Sequence, residues 1–233
     1  DEALMPLVTS VNIACGAHAG DEATMRSTVA LARRLGVAVG AHPGYADRAN
    51  FGRLERAAEA SEVTSSVLDQ IIALIRIAGE DGGAVTHVKP HGALYNQAAR
   101  EPELAAAVVA AVRSADPALV LVGPAGSELV RAARAAGLAV ACEVFADRTY
   151  EPDGSLTPRS RPGAVIMDVA MAVAQVLRMV TVGRVWATDG SDVPVTADTV
   201  CLHGDGVHAV SFAQRINAAL AAAGVEQRAF VRL

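Results

Sequence analysis

The chain has 233 residues, 52% of them hydrophobic and 19% charged, a balance that supports a sizeable buried core and excludes a disordered chain. Its formal net charge is −5 and its 20 lysines and arginines are scattered without a basic run, so the footprint of a nucleic-acid binder is missing. No apolar stretch reaches the length of a membrane span, and the opening Asp1-Glu2-Ala3-Leu4 has neither a basic nor an apolar leader segment.

Short β-branched apolar runs alternate with longer helical patterns, which predicts an α/β fold of mostly parallel strands in one domain over residues 1–233. A first strand is expected near residues 7 to 14. Asp21 then caps a helix with Met25, Val29 and Ala32 inward, stopped by Gly36. After a strand near 37 to 41, Ser61 caps a long helix carrying Val67, Ile71, Leu74, Ile75 and Ala78 at helical spacing and ended by Gly82-Gly83. A strand near 84 to 88 precedes a helix that opens on Pro102, with Leu104, Val108 and Val112 inward. A strand near 119 to 122 leads to a helix lined by Leu129, Ala133 and Ala136 and closed by Gly137. A strand near 139 to 144 and a long Asp-, Pro-, Gly- and Arg-rich loop over 147 to 163 follow, then a weaker strand at Ala164-Val165-Ile166. Asp168 caps a helix bearing Val169, Val173, Val176 and Val180, which ends before Gly183, and Asp189-Gly190 is a tight turn. A strand near 199 to 202 and a helix with Val210, Ala213, Ile216 and Leu220 inward complete the chain.

The polar residues follow the strands. The first strand runs into Cys15-Gly16-Ala17-His18-Ala19-Gly20-Asp21, and the second into His42-Pro43-Gly44-Tyr45-Ala46-Asp47. The third carries His87 and leads to Lys89-Pro90-His91-Gly92, the fifth contains Glu143 and leads to Asp147-Arg148, and the last ends in His203-Gly204-Asp205. In parallel α/β folds the carboxyl ends of the strands share one face, so these groups are expected to converge on one cleft. Five of the six histidines belong to this set, and His208 does not. Lys89 is the only lysine beside nineteen arginines. That choice suits a compact ammonium facing phosphate, carboxylate or a developing oxyanion better than a guanidinium fork does. Arg53 and Arg148 are candidate phosphate clamps.

His18, His42, His91 and His203, with Asp21 or Asp205, have the donor chemistry of a divalent-ion site, but their wide separation gives no ligand spacing. No HExxH, GxxxxGK[ST] or post-strand GxGxxG is present. Cys15, Cys142 and Cys201 cannot all pair within one chain and form no CxxC, which fits free thiols in a reducing cytoplasm.

The stretches NIACGAHAGD (12 to 21), GAHPGYAD (40 to 47), FGR (51 to 53), HVKPHGALYN (87 to 96), GSELVRAA (126 to 133), EVFADRTYEPDGSL (143 to 156) and HGD (203 to 205) resemble the LamB/YcsF family, the A subunits of ATP-hydrolysing 5-oxoprolinases. The resemblance covers nearly the whole chain. It implies an irregular, TIM-type (β/α) barrel-like fold related to polysaccharide deacetylases. It also implies ATP-dependent opening of 5-oxoproline to L-glutamate, alongside separate B and C subunits, with ATP as co-substrate and Mg²⁺ accompanying it. Homo-oligomerisation is compatible with it, and no tightly bound structural metal is expected. On this resemblance His18, His42, Lys89, His91, His203, Asp21 and Asp205 are the catalytic candidates. Substrate or ATP contacts fall to His87, Tyr45, Asp47, Arg53, Asn96, Glu143, Asp147 and Arg148, and the acids and imidazole nearest a metal ion would be Asp21, Asp47, His203 and Asp205. Ala17 replaces a more usual aromatic and Ala46 a more usual proline. Family members begin with a strand bearing a motif like DLNADLGE, so a preceding segment with further acidic groups at the same face is expected. An ATP-independent, metal-dependent amide hydrolase or deacetylase, and a non-catalytic subunit that positions substrate, are the alternatives.

Overall fold

The computed structural model describes residues 2–204, 206 and 208–229. The described residues form two compact units, the larger on 9–141 with 228–229, the smaller on 2–8 and the described part of 142–227.

In the larger unit β1 (Ser10–Ala14), α1 (Glu22–Leu35), β2 (Ala38–His42), α2 (Ala60–Glu80) and β3 (Val85–Val88) alternate. They are followed by α3 (Gly92–Arg100), α4 (Pro102–Ala115), β4 (Val120–Pro124) and α5 (Glu128–Ala135). The strands lie in the order β1-β2-β3-β4 and every pair is parallel. All four carboxyl ends therefore face one way. The helix ends have the expected chemistry: the Asp21 carboxylate accepts from the Thr24 N–H at 2.7 Å, and Gly36 closes α1 at φ 69°. Helix α2 holds the densest part of this core, with Val67, Ile71, Leu74 and Ala78 all but inaccessible. That spacing puts them on one stripe of the helix.

Strand β5 (Val140–Phe145) begins in the larger unit and ends in the smaller. The smaller unit adds α6 (Val169–Val182), β6 (Arg184–Trp186), β7 (Asp192–Pro194), β8 (Thr199–Cys201) and α7 (Ala209–Ala222). Strands β5 and β8 pair in parallel, Glu143 opposite Thr199 and Phe145 opposite Cys201. The core here joins Val176 and Met179 of α6 to Phe212, Ile216 and Leu220 of α7, together with Val144, Val185 and Val193. Asp168 caps α6 by accepting from the Met171 N–H at 2.9 Å.

The architecture is the α/β class of a barrel-like β/α fold, with six mostly short strands running parallel and helices between them. Several local expectations need correction. The first strand starts at Ser10, because Pro6 lies in a short 3-10 turn over Met5–Leu7. Helix α2 starts at Ala60 with Glu59 as its N-cap, not at Ser61. Ala164-Val165-Ile166 is no strand; it makes one isolated bridge, Val165 to Arg148, within the long loop. Helix α3 and the antiparallel hairpin β6–β7 are additions to the expected elements, although Asp189-Gly190 does lie in the connection of that hairpin. Among the described residues no helix is long and apolar enough to cross a membrane. None of Cys15, Cys142 and Cys201 is in a disulfide.

Candidate active site

Three loops at the carboxyl ends of β1, β2 and β3 bring His18, His42 and His91 into one cluster. The His18 and His91 rings stack with centroids 3.9 Å apart and planes 3° from parallel. His42 stands edge-on to His91, centroids at 4.8 Å. Nδ1 of His91 and Nε2 of His42 are 3.0 Å apart. The remaining nitrogens of this pair point to backbone carbonyls, His42 Nδ1 to Lys89 O at 2.6 Å and His91 Nε2 to Phe51 O at 2.8 Å. Phe51 closes the group edge-on to both His18 and His91.

Glycines give the cluster its room. A Cβ on Gly44 would lie 2.8 Å from His18 Nδ1, and one on Gly52 would lie 2.9 Å from the His18 Cβ. Gly52 also adopts φ 64°, which side-chain-bearing residues avoid. Gln70 of α2 fixes Gly44 from behind, its amide oxygen accepting from the Gly44 N–H and its amide nitrogen donating to the Gly44 carbonyl, both at 3.0 Å. The core helix thus sets the floor under His18.

Lys89 is buried at 6% exposure, with Nζ 5.7 Å from the Tyr95 ring centroid. Burial and then the Lys89 charge push the His42 imidazolium well below its ordinary pKa, partly opposed by the bond to the Lys89 carbonyl. Burial, with smaller contributions from His91, Arg48 and Arg53, pushes His18 down to about 3. His18 is therefore neutral, and its buried Nδ1 has no partner among the described residues. His87 lies deeper, 1% exposed, with Nε2 3.1 Å from Asn12 Oδ1 and a pKa pushed down to about 3 by burial and by Lys89. It is a neutral strut between β3 and β1 that approaches Gly40 so closely that a Cβ there would lie 2.1 Å from its Nε2.

The other candidates of the larger unit stand apart from this cluster's hydrogen bonds. Asp21 is the α1 cap. Asp47 turns its own loop, Oδ1 accepting from the Asn50 backbone at 3.2 Å and side chain at 2.9 Å. Tyr45 is buried, its hydroxyl unpartnered among the described residues, and with Arg56 and Ser66 it lines a cavity of about 30 Å³, room for one water. The Arg53 guanidinium covers the Phe51 ring at 4.9 Å. Asn96 is exposed on α3.

In the smaller unit the parallel pair β5 and β8 brings together Asp147 and His203. His203 Nδ1 lies 2.8 Å from Asp147 Oδ2, and its Nε2 lies 3.0 Å from Arg159 Nη2. A guanidinium only donates, so Nε2 accepts and Nδ1–H donates to the carboxylate. Burial raises the Asp147 pKa, but the bonds to His203 outweigh it and hold the carboxyl below its usual value. The buried Arg148 turns inward and donates to the carbonyls of Ala164, at 3.1 Å, and Thr157. Glu143 is buried on β5. Asp205 lies outside the described residues. Arg159 and Gln70 escape sequence reasoning, and Phe51 and Asn12 enter it only inside the stretches FGR and NIACGAHAGD. Gln70 sits mid-helix in an apolar stripe, and that misplaced polar residue is the one available signal. Among the described residues no three His, Cys, Asp or Glu side chains group as a metal ion would need.

Comparison with known proteins gives one answer. The LamB/YcsF family model matches residues 1–233. A protein of Methylococcus capsulatus, named as the A subunit of 5-oxoprolinase, is 57% identical over 225 residues, 97% of this chain and 86% of that one. One of the same name from Brevibacillus brevis is 52% identical over 97% of this chain and 89% of its own length. The crystal structure of a lactam utilization protein from Thermus thermophilus superposes with a TM-score of 0.91 at 46% identity, covering 98% of this chain and 91% of that one. In sequence and in backbone, the chain belongs to the LamB/YcsF family.

Proposed function

We propose that the chain is the A subunit of a 5-oxoprolinase and takes part in ATP-dependent opening of 5-oxoproline to L-glutamate. The observation that carries this reading is the strand-end cluster of His18, His42 and His91 around the backbone of Lys89. Relatives named for the same activity at above 50% identity support it. An unstrained lactam resists water because its amide is resonance-stabilised, so coupling to ATP is chemically apt. Phosphorylation of the lactam oxygen makes the ring carbon electrophilic. Water then adds to that carbon, a strand-end imidazole taking its proton while the Lys89 ammonium balances negative charge on phosphate or substrate; the adduct expels the ring nitrogen, which is protonated to the amine, and a second water hydrolyses the resulting acyl phosphate to L-glutamate and phosphate. The Asp147–His203 pair has the tautomer of a base oriented by a carboxylate and is the second imidazole suited to proton transfer.

Asp21 and Asp47 spend carboxylate oxygens on their own backbone turns. We assign no step to a metal ion; Mg²⁺ enters with the nucleotide. The B and C subunits are the expected partners. The test is release of glutamate and phosphate from 5-oxoproline and ATP, with and without those subunits. Lys89→Met should lower turnover by at least about 100-fold with the melting temperature nearly kept. Full activity in that variant removes Lys89 from the mechanism. Binding of 5-oxoproline with no turnover in the complete assembly would make this a positioning subunit instead.

A further inference from the structure

Arg159 and His203 make an ill-matched pair. A guanidinium is a cation with five donors, and its strong partners are carboxylate and phosphate oxygens rather than the lone pair of a neutral ring. Yet the exposed Arg159 turns Nη2 to His203 Nε2 at 3.0 Å. A second cation stands near. Arg148, 5% exposed, donates to the carbonyls of Ala164 and Thr157, and burial, then the charge of Arg159, push its pKa down to about 10. Asp147 acts the other way on Arg148. Its carboxylate, however, already accepts from His203, from the ring Nδ1–H at 2.8 Å and the backbone N–H at 3.4 Å. Two guanidiniums thus repel each other beside a carboxylate that the histidine occupies, and a further oxyanion relieves that repulsion.

The loop does not depend on the Arg159 contact. Its base is held by Gln175, whose amide donates to the carbonyls of Phe145 at 3.0 Å and Arg148 at 2.8 Å, and its far end by the Glu151–Arg161 pair. Backbone bonds from Thr149 to Ala164 and from Arg161 to Pro158 close it on either side of Arg159. The guanidinium can therefore swing about its own side-chain bonds while the backbone stays. The His203 ring stays too, held by Asp147 and stacked on the Phe145 ring at 5.9 Å.

We propose that Arg159 is the receiving residue of an oxyanion site, for a phosphoryl or carboxylate group, and the latch on His203: the bound oxyanion draws the guanidinium off Nε2 and frees that lone pair. At rest the nitrogen that would take a proton is occupied. With the anion seated it is open to the attacking water, so the base is bared only when its substrate is in place. The latch as a catalytic role rests on the proposed lactam chemistry; the anion site does not.

Ring-nitrogen NMR of the full chain reads the latch without turnover. At a fixed pH of about 8, where an ordinary imidazole is neutral, inorganic phosphate or 5-oxoproline should move the His203 Nε2 resonance toward that of a free lone pair. Sodium chloride at equal ionic strength is the control for the first, and 2-pyrrolidone, the same ring without a carboxylate, for the second. A response to phosphate alone identifies a phosphoryl group, to 5-oxoproline alone a carboxylate, and to both a general oxyanion site; each supports the proposal. No response to either, or only responses matched by the controls, overturns it. In Arg159→Ala the resonance should start at the free position and ignore both ligands; a response kept there takes the anion away from Arg159 and overturns the latch. In the complete assembly the same variant should raise KM about 10- to 100-fold for whichever of 5-oxoproline and ATP carries the responding group. A lowered kcat at unchanged KM would leave Arg159 a strut for His203 and sink the site, whereas an inactive native assembly would fail the lactam reading and leave the titration standing.

Discussion

At the scale of single residues, the site is shaped as much by missing side chains as by those present. Gly44 leaves the space that His18 Nδ1 faces, and the loop around it is held by two hydrogen bonds from Gln70. Gly44→Ala puts a carbon 2.8 Å from that nitrogen and 3.2 Å from the His91 Cβ, so both rings must shift. The expected outcome is a fall in kcat of about 10- to 100-fold at a stability cost of about 1–3 kcal/mol, read by steady-state kinetics and urea denaturation of the same sample. Unchanged kcat would detach the position of His18 from catalysis. The histidines themselves are legible in the sequence, because each follows an apolar run that ends in glycine-rich chain. Their bonds to one another are not. Those depend on three loops meeting, and Arg159, which touches His203 from a position 44 residues earlier, carries no local mark at all.

At the scale of elements, packing and not surface charge holds the helices that carry the site. Glu22 and Glu80 bridge Arg26 and Arg76 between α1 and α2, but all four side chains are about half exposed. Solvent and salt screen such pairs, so they add little to stability. Leu74, fully buried on α2, matters more: Leu74→Ala should destabilise by about 2–5 kcal/mol, while Arg76→Ala should cost far less. Equal urea midpoints for the two variants would refute this ranking. Long periodic helices such as α2 and α6 can be read from spacing, and α6 also from its Asp168 cap. Helix α3 cannot, since it has only nine residues, starts at a glycine and has no capping side chain. Strands β6 and β7 have three residues each and half-exposed patterns, too short for alternation to speak. The Ala164-Val165-Ile166 run resembles a strand because it is apolar, but the loop uses Ala164 and Ile166 as buried plugs instead.

At the scale of the whole molecule, buried neutral histidines set the response to acid. The His87 pKa is about 3 in the folded chain against 6.5 as the ordinary value. Between these values the unfolded chain binds the proton and the folded chain does not, so stability is complete above about 6.5 and is lost as pH falls. At about 1.4 kcal/mol per pKa unit, His87 alone accounts for about 2 kcal/mol lost between pH 7 and pH 5. Urea titrations at the two pH values should show that loss, and His87→Gln should flatten it by a comparable amount. A slope the same in both proteins would exclude His87 as its source.

The Gln70 clasp makes α2 more than a wall. Because one amide grips both polar atoms of Gly44, a slide or tilt of that helix drags the imidazole floor with it. Distant cavities along the Ile71–Leu74 stripe should accordingly register as altered ring geometry before the chain loosens, which turns the interior into a lever on reactivity.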